Sequence, residues 1–367
     1  MNGVINIWKE QGYSSFHVIY VLRKITGEQK IGHTGTLDPE VSGVLPVCIG
    51  KATKLVGQLT DTDKQYRCTL LLGKRTDTQD LTGTVLEEIS GEEVRMRLKE
   101  LAGNLPVFRK DHGNRETGIP DEQRKSMDRS SGIQQVICET LQGFCGEILQ
   151  TPPMYSALKV DGMKLVNAAR RGVEVSRSPR PVTIYSIDDI TVSEDLQTIR
   201  FRVDCSKGTY MRTLCEDVGQ KLGIPACMSS LERTCACGLD RTTAITLDQA
   251  AEYARAGVLE EHLIPADHFL MVYPAIVVRD EFVRKLVYGN LFGQKEILMI
   301  RDPSADESDP VSSDRPADRQ IFRVYDQDGT FYALYQYDAG KECYRCVKMF
   351  LSETEAGTKQ VLYRKLP

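Results

Sequence analysis

The sequence predicts an α+β protein in which a large mixed α/β domain with a largely antiparallel central sheet precedes a small β-rich domain. Three observations predict it. Strand-like alternation and helix-like apolar stripes recur over residues 1–268, and residues 269–367 hold two strand patterns around a turn. The 41% hydrophobic content is enough for a sizeable core. A chain of 367 residues favours one large and one small domain over three.

The first elements alternate between strand and helix. Gly3 to Trp8 predict a short strand, and Ser14 then offers an N-cap to a helix. The apolar side chains of that helix recur at the spacing of one buried face: Val18, Val21, Leu22 and Ile25. A loop rich in glycine and threonine follows from Gly32 to Gly43, and it leads into the apolar run Val44 to Ile49. This loop is the first place where we expect chemistry.

Three further strands and a helix are predicted in the large domain. Apolar and polar residues alternate over 64–73, and strand patterns recur at 183–190 and 198–205. A helix ends at Gly223, and its buried stripe is predicted to contain Met211, Leu214, Val218 and Leu222. Between these elements, the highly polar residues 108–132 have no sustained apolar period, which predicts a mobile surface insertion.

The small domain is predicted over residues 269–367. Its two strands, 321–325 and 330–337, flank the turn Gln327 to Gly329. An acidic loop is predicted at 301–319, where six acidic and three basic residues contribute −3 of the net charge of −4. The rest of the chain is therefore nearly neutral. A net negative charge alone argues against a nucleic-acid partner, but the basic residues of the remainder could still be concentrated on one face.

Cysteine usage and hydropathy predict a cytoplasmic protein. No run of 18 apolar residues is present, and the segment Met1 to Glu10 lacks the pattern of a secretory signal. The 11 cysteines lie in apolar surroundings, as at Cys48 and Cys205, and their odd number indicates reduced thiols rather than a disulfide framework. We therefore expect no association with a membrane.

The stretch Gly32 to Lys54 excludes one nucleotide-binding motif. Six residues separate Gly43 from Gly50 where a phosphate-binding P-loop has four, and Ala52 stands where the magnesium-binding Ser or Thr is needed. A G-x-G-x-x-G motif after a strand is also missing from the sequence. Neither nucleotide hydrolysis nor dinucleotide redox chemistry is indicated.

The same stretch resembles the TruB family of tRNA pseudouridine synthases, whose signature around the catalytic aspartate is G-H-T-G-x-L-D-P-x-x-x-G-x-L-P. Every fixed position is met, by Gly32, His33, Thr34, Gly35, Leu37, Asp38, Pro39, Gly43, Leu45 and Pro46. Four more segments match in the family's order: 64–66, 72–80, 152–159 and 208–213. The resemblance covers roughly Gly3 to Ala254 apart from the polar insertion, and the remainder resembles the family's small PUA-like C-terminal domain.

This resemblance implies a pseudouridine synthase fold and an isomerase that acts on tRNA. Such an enzyme breaks the bond between C1′ of the ribose and N1 of uracil, rotates the base and rejoins it through C5. By family, the target is the uridine at position 55 in the T loop. Nothing is oxidised, so no cofactor is needed. The resemblance also implies a monomer that binds the T arm without an obligate protein partner.

Asp38 is the residue on which the resemblance bears most directly. Taken alone, an aspartate before Pro39 is most simply a turn residue. Within the family signature it corresponds to the catalytic aspartate. A carboxylate near C1′ and C6 can act as a nucleophile or can stabilise the sugar cation, and the sequence leaves both roles open.

Arg212 and Tyr66 are the other two predicted catalytic residues. Arg212 falls in the first turn of a predicted helix, where the helix dipole disfavours a cation by up to about 1 kcal/mol, so a nearby anion is expected. A bidentate contact with Asp38 would supply it; otherwise Arg212 is a surface arginine. Tyr66 alternates on a strand and could be ordinary sheet packing. The resemblance implies that it stacks on the target uracil and helps to move the C5 proton.

Five further residues are predicted to bind the substrate. The resemblance implies that His33 fills the space that the flipped uridine leaves in the RNA, although a histidine beside glycines can also be a solvated or capping residue. Leu231 matches the leucine that closes over the base, and it also fits an ordinary core position. Tyr210, Asp80 and Lys159 match positions near the target nucleotide, and each could instead be structural.

Basic residues recur around these motifs and are predicted to form a track for phosphates: Arg67, Lys74, Arg75, Lys164, Arg170, Arg171, Arg177 and Arg180. The sequence departs from the family at Lys9-Glu10, where Lys-Pro is usual, which loosens a turn but touches no catalytic group. Cys343 and Cys346 could be half of a zinc site, but the other close pair is Cys235 and Cys237, and we expect no metal.

Two rival functions remain open. The first is a tRNA-binding and folding chaperone in which catalysis is secondary, since remodelling the tRNA elbow would use the same groove. The second is a guide-RNA-dependent synthase of the archaeal or eukaryotic type. The short C-terminal region and the lack of basic tails favour the stand-alone bacterial form.

Overall fold

The computed structural model describes most of the chain: residues 1–105, 121–156, 159–160, 163–164, 175–301 and 316–351, with the backbone alone for 121–131, 159–160 and 163–164. Lys159 and Lys164 are thus placed in the backbone only, and Arg170 and Arg171 lie outside the described residues.

The strands of the larger part, as far as it is described, are β1 (Gly3–Lys9), β2 (Ile31–His33), β3 (Ser42–Ile49), β4 (Lys64–Leu72), β5 (Lys74–Thr76), β6 (Val85–Glu88), β7 (Gly146–Gln150), β8 (Lys159–Val160), β9 (Met163–Lys164), β10 (Arg180–Val192), β11 (Thr198–Cys205), β12 (Ala226–Ala236) and β13 (Leu239–Asp240). Nine of them form one sheet in the order β1-β3-β12-β4-β11-β10-β7, with β2 paired to β3 and β13 paired to β12. Its pairings are antiparallel except for a short parallel contact between β3 and β12. The prediction of a largely antiparallel central sheet is confirmed.

The helices of the described chain are α1 (Ser15–Thr26), α2 (Val56–Thr60), α3 (Gly91–Gly103), α4 (Asp121–Gln142), α5 (Met211–Leu222), α6 (Leu247–Ala256) and α7 (Val283–Val287). Helix α1 begins at the predicted cap, because the Ser14 side chain accepts a hydrogen bond from the His17 N–H. Gly27 and Gly223, in the left-handed conformation, end α1 and α5. Helices α3, α4 and α5 cover the core on β4, β10 and β11, whereas α1 and α6 pack near β1 and β3.

A second, six-stranded sheet follows. Its strands are β14 (Ala275–Val278), β15 (Phe292–Gly293), β16 (Ile297–Arg301), β17 (Ile321–Tyr325), β18 (Phe331–Asp338) and β19 (Cys343–Met349). They are arranged in the order β15-β19-β18-β17-β14-β16 around a core rich in aromatic residues. The predicted strands on both sides of the turn at Gln327 to Gly329 are thus present as β17 and β18.

The two sheets share an apolar contact. Val4 and Cys48 from the first sheet and Leu334 and Phe350 from the region of the second belong to one buried cluster. The side-chain amide of Asn2 donates a hydrogen bond to the Phe350 carbonyl oxygen at 2.8 Å. The second sheet is therefore packed against the edge of the first that contains β1 and β3.

Part of the predicted surface insertion is helical. Helix α4 begins at Asp121, inside the stretch 108–132, so the prediction of a loop is wrong for its second half. Among the side chains of α4 that the structure describes, from residue 132 onward, Ile133, Val136, Ile137 and Leu141 are buried. Residues 106–120 lie outside the described residues, as does most of the acidic loop predicted at 301–319.

All 11 cysteines are free thiols, of which Cys48, Cys68, Cys205, Cys215 and Cys227 are buried and six are partly exposed. In the described part of the chain, none of the helices is long and apolar enough to cross a membrane.

Candidate active site

One pocket brings together most of the residues that the sequence singles out. It has a volume of about 320 Å³ and lies where the loop between β2 and β3 meets β4, β12 and the first turn of α5. Five of the predicted site residues line it: Asp38, Tyr66, Tyr210, Arg212 and Leu231. Residues from four separate chain segments therefore face a single cavity.

The loop that carries Asp38 is held by buried hydrogen bonds. The hydroxyl of Ser15, the first residue of α1, accepts from the Leu37 N–H at 2.8 Å and donates to the Leu37 carbonyl at 3.0 Å. The buried ammonium of Lys9 donates to the Pro39 carbonyl at 3.3 Å. The Asp38 side chain itself is 48% exposed. The backbone is thus fixed on both sides of Asp38, while the carboxylate remains accessible.

Arg212 is buried and contacts two carboxylates. Its Nη2 lies 3.1 Å from Oδ2 of Asp38, and its Nη1 lies 3.7 Å from Oδ2 of Asp80. The same nitrogens donate to the carbonyl oxygens of Tyr155 at 2.8 Å and Thr78 at 3.4 Å. The expected bidentate contact with Asp38 is wrong, because Nη1 is engaged by Asp80 and Thr78 instead. The two carboxylates offset the unfavourable position of a cation in the first turn of a helix.

Gln79 connects the loop that carries Asp80 to α5 by hydrogen bonds. The Gln79 backbone is left-handed, with φ 64°, and its carbonyl accepts from the Met228 N–H at 3.0 Å. Its side-chain oxygen accepts from the Thr213 hydroxyl at 3.0 Å, and its side-chain nitrogen donates to Glu216. Gln79 therefore fixes the distance between Asp80 and the helix that carries Arg212.

Tyr66 lies beside a second buried arginine. Arg233 is the cross-strand partner of Tyr66 on β12, and it lines the pocket with 1% of its surface exposed. Burial raises the pKa of Tyr66, while the positive charge of Arg233 lowers that pKa in part. Leu231 lies two residues before Arg233 on the same strand and packs, like Tyr66, against both halves of the core.

His33 and Lys159 are not among the described residues that line the pocket. His33 ends β2, and its Nδ1 accepts from the Gly35 N–H at 3.4 Å. Burial, followed by the charge of Arg233, lowers the pKa of His33, which favours the neutral imidazole. Lys159 is placed in β8, and its side chain lies outside the described residues.

Three residues of the predicted phosphate track pair with carboxylates. Arg67 lies 3.2 Å from Glu232, and the hairpin β5–β6 places Lys74 3.0 Å from Glu88 and Arg75 3.4 Å from Glu87. These side chains are partly or largely exposed, so the pairs are weak and can open to phosphate. Arg177 donates to the Pro152 carbonyl, and Arg180 is exposed at the start of β10. The track stays a prediction.

Family models match about two thirds of the chain. The model of the TruB family pseudouridylate synthase N-terminal domain matches residues 23–108 and 107–211, and that of the tRNA pseudouridylate synthase B C-terminal domain matches residues 212–271. The chain belongs to the TruB family. Its activity is therefore the isomerisation of uridine to pseudouridine in tRNA.

Relatives of this TruB-family chain match it over almost its whole length. The tRNA pseudouridine synthase B of Clostridium tetani is 36% identical over 96% of the chain and 100% of the relative, and that of Lachnoclostridium phytofermentans is 39% identical with the same coverage. Among solved structures, a Cbf5-Nop10-Gar1 complex has a chain with a TM-score of 0.58 and 23% identity, covering 96% of this chain and 86% of that one. This likeness shows the pseudouridine synthase fold.

Sequence reasoning missed three residues that hold the site of this TruB-family member together. Lys9, noted as part of a departure from the family pattern, is buried beside the Asp38 loop, and burial lowers its pKa to about 8. Gln79 was visible only as one letter within a matched segment. Arg233 could have been found, because it lies two residues after Leu231 on a strand and must therefore share its face.

The described residues contain no group of three or more His, Cys, Asp or Glu side chains placed to hold an ion, including around Cys343 and Cys346.

Proposed function

We propose that this TruB-family synthase modifies the uridine at position 55 in the T loop of tRNA, and that Asp38 is its catalytic carboxylate. The observation that carries the proposal is the 3.1 Å contact between Asp38 and the buried Arg212 at the mouth of a pocket of about 320 Å³. An extruded nucleotide can enter a pocket of this kind, whereas a stacked one cannot reach it. The resemblance of the Gly32 to Pro46 signature supports the choice of target.

The reaction requires negative charge beside the sugar and room for the base to turn. When the C1′–N1 bond breaks, its electron pair leaves with the uracil, and C1′ becomes electron-poor. The Asp38 carboxylate can attack that carbon or stabilise its charge. The base then turns, C5 bonds to C1′, and the proton on C5 is lost. Arg212 holds the carboxylate in place during these steps, because Arg212 is itself fixed by Tyr155 and Asp80.

The other site residues act on the base and its neighbours. Tyr66 lines the pocket as a flat ring with a hydroxyl, suited to stacking on uracil and to moving the C5 proton. Leu231 covers the base, and Tyr210 lies at the N-terminus of α5 beside it. We further propose that His33 fills the space left in the RNA and that Lys159 contacts the target nucleotide.

We divide the chain at residues 268 and 269 into a catalytic domain and a PUA-like RNA-binding domain. The separate core of the second sheet supports this division. We also propose that the protein acts in the cytoplasm as a monomer, without an obligate protein partner, and grips the T arm of tRNA. Light scattering of the purified chain, with and without tRNA, would test the monomer.

The experiment that tests the proposed function is Asp38→Asn. We expect the variant to bind tRNA with unchanged affinity and to form no detectable pseudouridine, since an amide supplies neither a nucleophile nor a negative charge. Pseudouridine would be mapped at single-nucleotide resolution in tRNA from a strain that lacks the gene. Appearance of the modification at a uridine other than 55 on complementation with the native chain would contradict the target.

A matched control is Asp188→Asn. Asp188 is 47% exposed and lies 3.7 Å from Arg202, so it resembles Asp38 in exposure and in pairing but lies outside the pocket lining. We expect it to retain full activity. The same pair of variants tests the rival function of a tRNA-folding chaperone. If Asp38→Asn still folded tRNA and supported growth as the native chain does, binding rather than catalysis would be the main role.

A further inference from the structure

Arg233 is a buried cation to which the reaction scheme above gives no role. Its side chain is 1% exposed, its Nε donates to the Val44 carbonyl at 2.8 Å, and its Nη2 donates to the Gly35 carbonyl at 3.3 Å. Within the described chain, no carboxylate lies within 4.0 Å of it, in contrast to Arg212, which has two. An unpaired buried charge costs several kcal/mol, so its presence at a pocket needs a reason.

The charge of Arg233 acts on several ionisable groups around the pocket. Together with burial it lowers the pKa of Lys9, His33 and Lys64. It also lowers in part the pKa of Tyr66, its cross-strand partner, which burial raises. The charge of Arg233 therefore acts on the part of the pocket that contains Tyr66, where the Asp38 carboxylate acts in the opposite sense.

The backbone of Arg233 is placed with little freedom. It pairs with Tyr66 of β4 on one side and with Gly43 of β3 on the other. A Cβ at Gly43 would lie 2.2 Å from the Arg233 carbonyl oxygen, so the strands approach more closely here than any other residue type permits. This close packing fixes the guanidinium relative to the Tyr66 ring.

We propose that Arg233 is a positioning residue for Tyr66, which holds the phenol in the pocket and stabilises the negative charge of the phenolate oxygen until that oxygen takes the proton from C5. The inference rests on the role proposed above for Tyr66. The C5–H bond breaks, its electron pair returns to the uracil ring, and the proton bonds to the Tyr66 phenolate. The resulting phenol afterwards releases its proton to water.

Other charged groups around Tyr66 also change its pKa, and some of them act against Arg233. Asp38 from the catalytic loop and Cys205 from β11 both raise the pKa of Tyr66, as burial does. Lys64 on the same strand and Arg212 on α5 line the same pocket. Arg212 is paired with two carboxylates, whereas Arg233, the cross-strand partner of Tyr66, lies within 4.0 Å of no carboxylate in the described chain.

The test replaces Tyr66 with 3-fluorotyrosine in the full-length chain and follows its ionisation by fluorine NMR as the pH is raised. Arg233→Gln removes the charge, and Arg233→Met removes it without burying an unpaired amide, which protects against a failure to fold. We expect either variant to raise the titration midpoint by about 1 to 3 pH units. Arg233→Lys, which retains a charge, should restore part of the shift. The matched control Arg200→Gln, an exposed arginine on the adjacent strand β11, should leave the midpoint unchanged.

Activity supplies the second readout. Single-turnover rates of Arg233→Met should be about 10- to 1000-fold below those of the native chain at pH 7 and should recover as the pH rises. A midpoint that does not move, or a rate loss that is the same at every pH, would overturn the inference and leave Arg233 a structural residue. Full activity of Tyr66→Phe would instead overturn the proposed role of Tyr66, and the fluorine titration would still report whether the two residues are coupled.

Discussion

Gly43 and Arg233 lie on neighbouring strands so close together that a Cβ on the glycine would meet the arginine's carbonyl oxygen at 2.2 Å and its amide nitrogen at 2.5 Å. Gly43 also has a φ of 125°, a conformation that other residues rarely adopt. The parallel contact of β3 with β12 depends on it. The glycine of the family signature thus serves the sheet beneath the catalytic loop.

Gly43→Ala should therefore destabilise the protein by about 3 kcal/mol or more, because strain and overlap add. Thermal unfolding measures it. Gly146→Ala is the control: its φ is 106°, but nothing lies within 4 Å of the added Cβ, so only strain of about 1 to 2 kcal/mol is expected. Equal losses of stability in the two variants would show that the close approach at Gly43 does not matter.

Arg212→Lys should lower the rate of isomerisation by about 10²- to 10³-fold and change the tRNA affinity little. A lysine has one charged nitrogen, so it cannot contact Asp38, Asp80 and two backbone carbonyls at once. Single-turnover kinetics and filter binding would separate the two effects. Asp80→Asn removes the more distant carboxylate and should lower the rate of isomerisation less than Arg212→Lys does. A native rate for Arg212→Lys would show that the geometry of the guanidinium is unimportant.

The pocket could be predicted from short sequence patterns, because each of the segments that line it contains one such pattern. Asp38 follows a glycine-rich turn, Tyr66 alternates on a strand and Arg212 begins a helix, and all three signals are local. The contacts that fix these residues are not local. Arg233 reaches Gly35, Val44 and Tyr66 across strands that are far apart in sequence, so no spacing rule reveals them.

The secondary structure was likewise predictable where a local sequence pattern indicates it. Strands with one buried face, such as β4 and β11, were identified by their period of two, α1 by its N-cap and apolar stripe, and α5 by its apolar stripe and the glycine that ends it. Helix α4 was missed over its first half, because the residues of that half are highly polar and have no sustained apolar period in the sequence. The hydrogen bonds between Gln79 and α5 were missed as well, because they are tertiary contacts that no local sequence pattern indicates.

Gln79→Ala tests the role of the hydrogen bonds between Gln79 and α5. The variant loses hydrogen bonds to Thr213 and Glu216, so the loop that carries Asp80 should loosen by about 1 to 2 kcal/mol. We expect kcat to fall about tenfold, because Arg212 loses a fixed partner, while KM changes little. Gln220 is an exposed glutamine on α5, and Gln220→Ala should leave kcat and KM unchanged. A raised KM with an unchanged kcat would instead indicate that the loop binds RNA directly.

Binding of tRNA should weaken steeply with salt if the basic residues form a track. Between 50 and 200 mM salt, we expect the affinity to fall by more than about 10²-fold. Arg180→Gln should reduce the slope of log affinity against log salt by about 1. Lys99→Gln, an exposed charge on α3, should not change it. A flat dependence would count against any charged groove, whichever residues line it.

Stability should depend on pH through Asp217. Burial, and then the charge of Glu216, raises the pKa of Asp217 from 3.8 to about 6, so the folded state holds this proton more tightly than the unfolded state. The resulting stability is fully present below pH 3.8 and is lost as the pH rises through 6. Asp217→Asn cannot ionise, and it should be more stable than the native chain at pH 7.5 by about 1 to 2 kcal/mol, allowing for partial exposure of the side chain.

Thermal unfolding at pH 4 and at pH 7.5 measures this difference, which should be small at pH 4. Asp195 provides a control of opposite sign, since a hydrogen bond from Ser193 lowers its pKa. Asp195→Asn should therefore be less stable than the native chain at both pH 4 and pH 7.5, because the contribution of the native carboxylate is present above pH 3.8 and is lost only as the pH falls below that value. If Asp217→Asn had the same stability relative to the native chain at both pH values, the buried carboxyl group would not contribute to the pH dependence of folding.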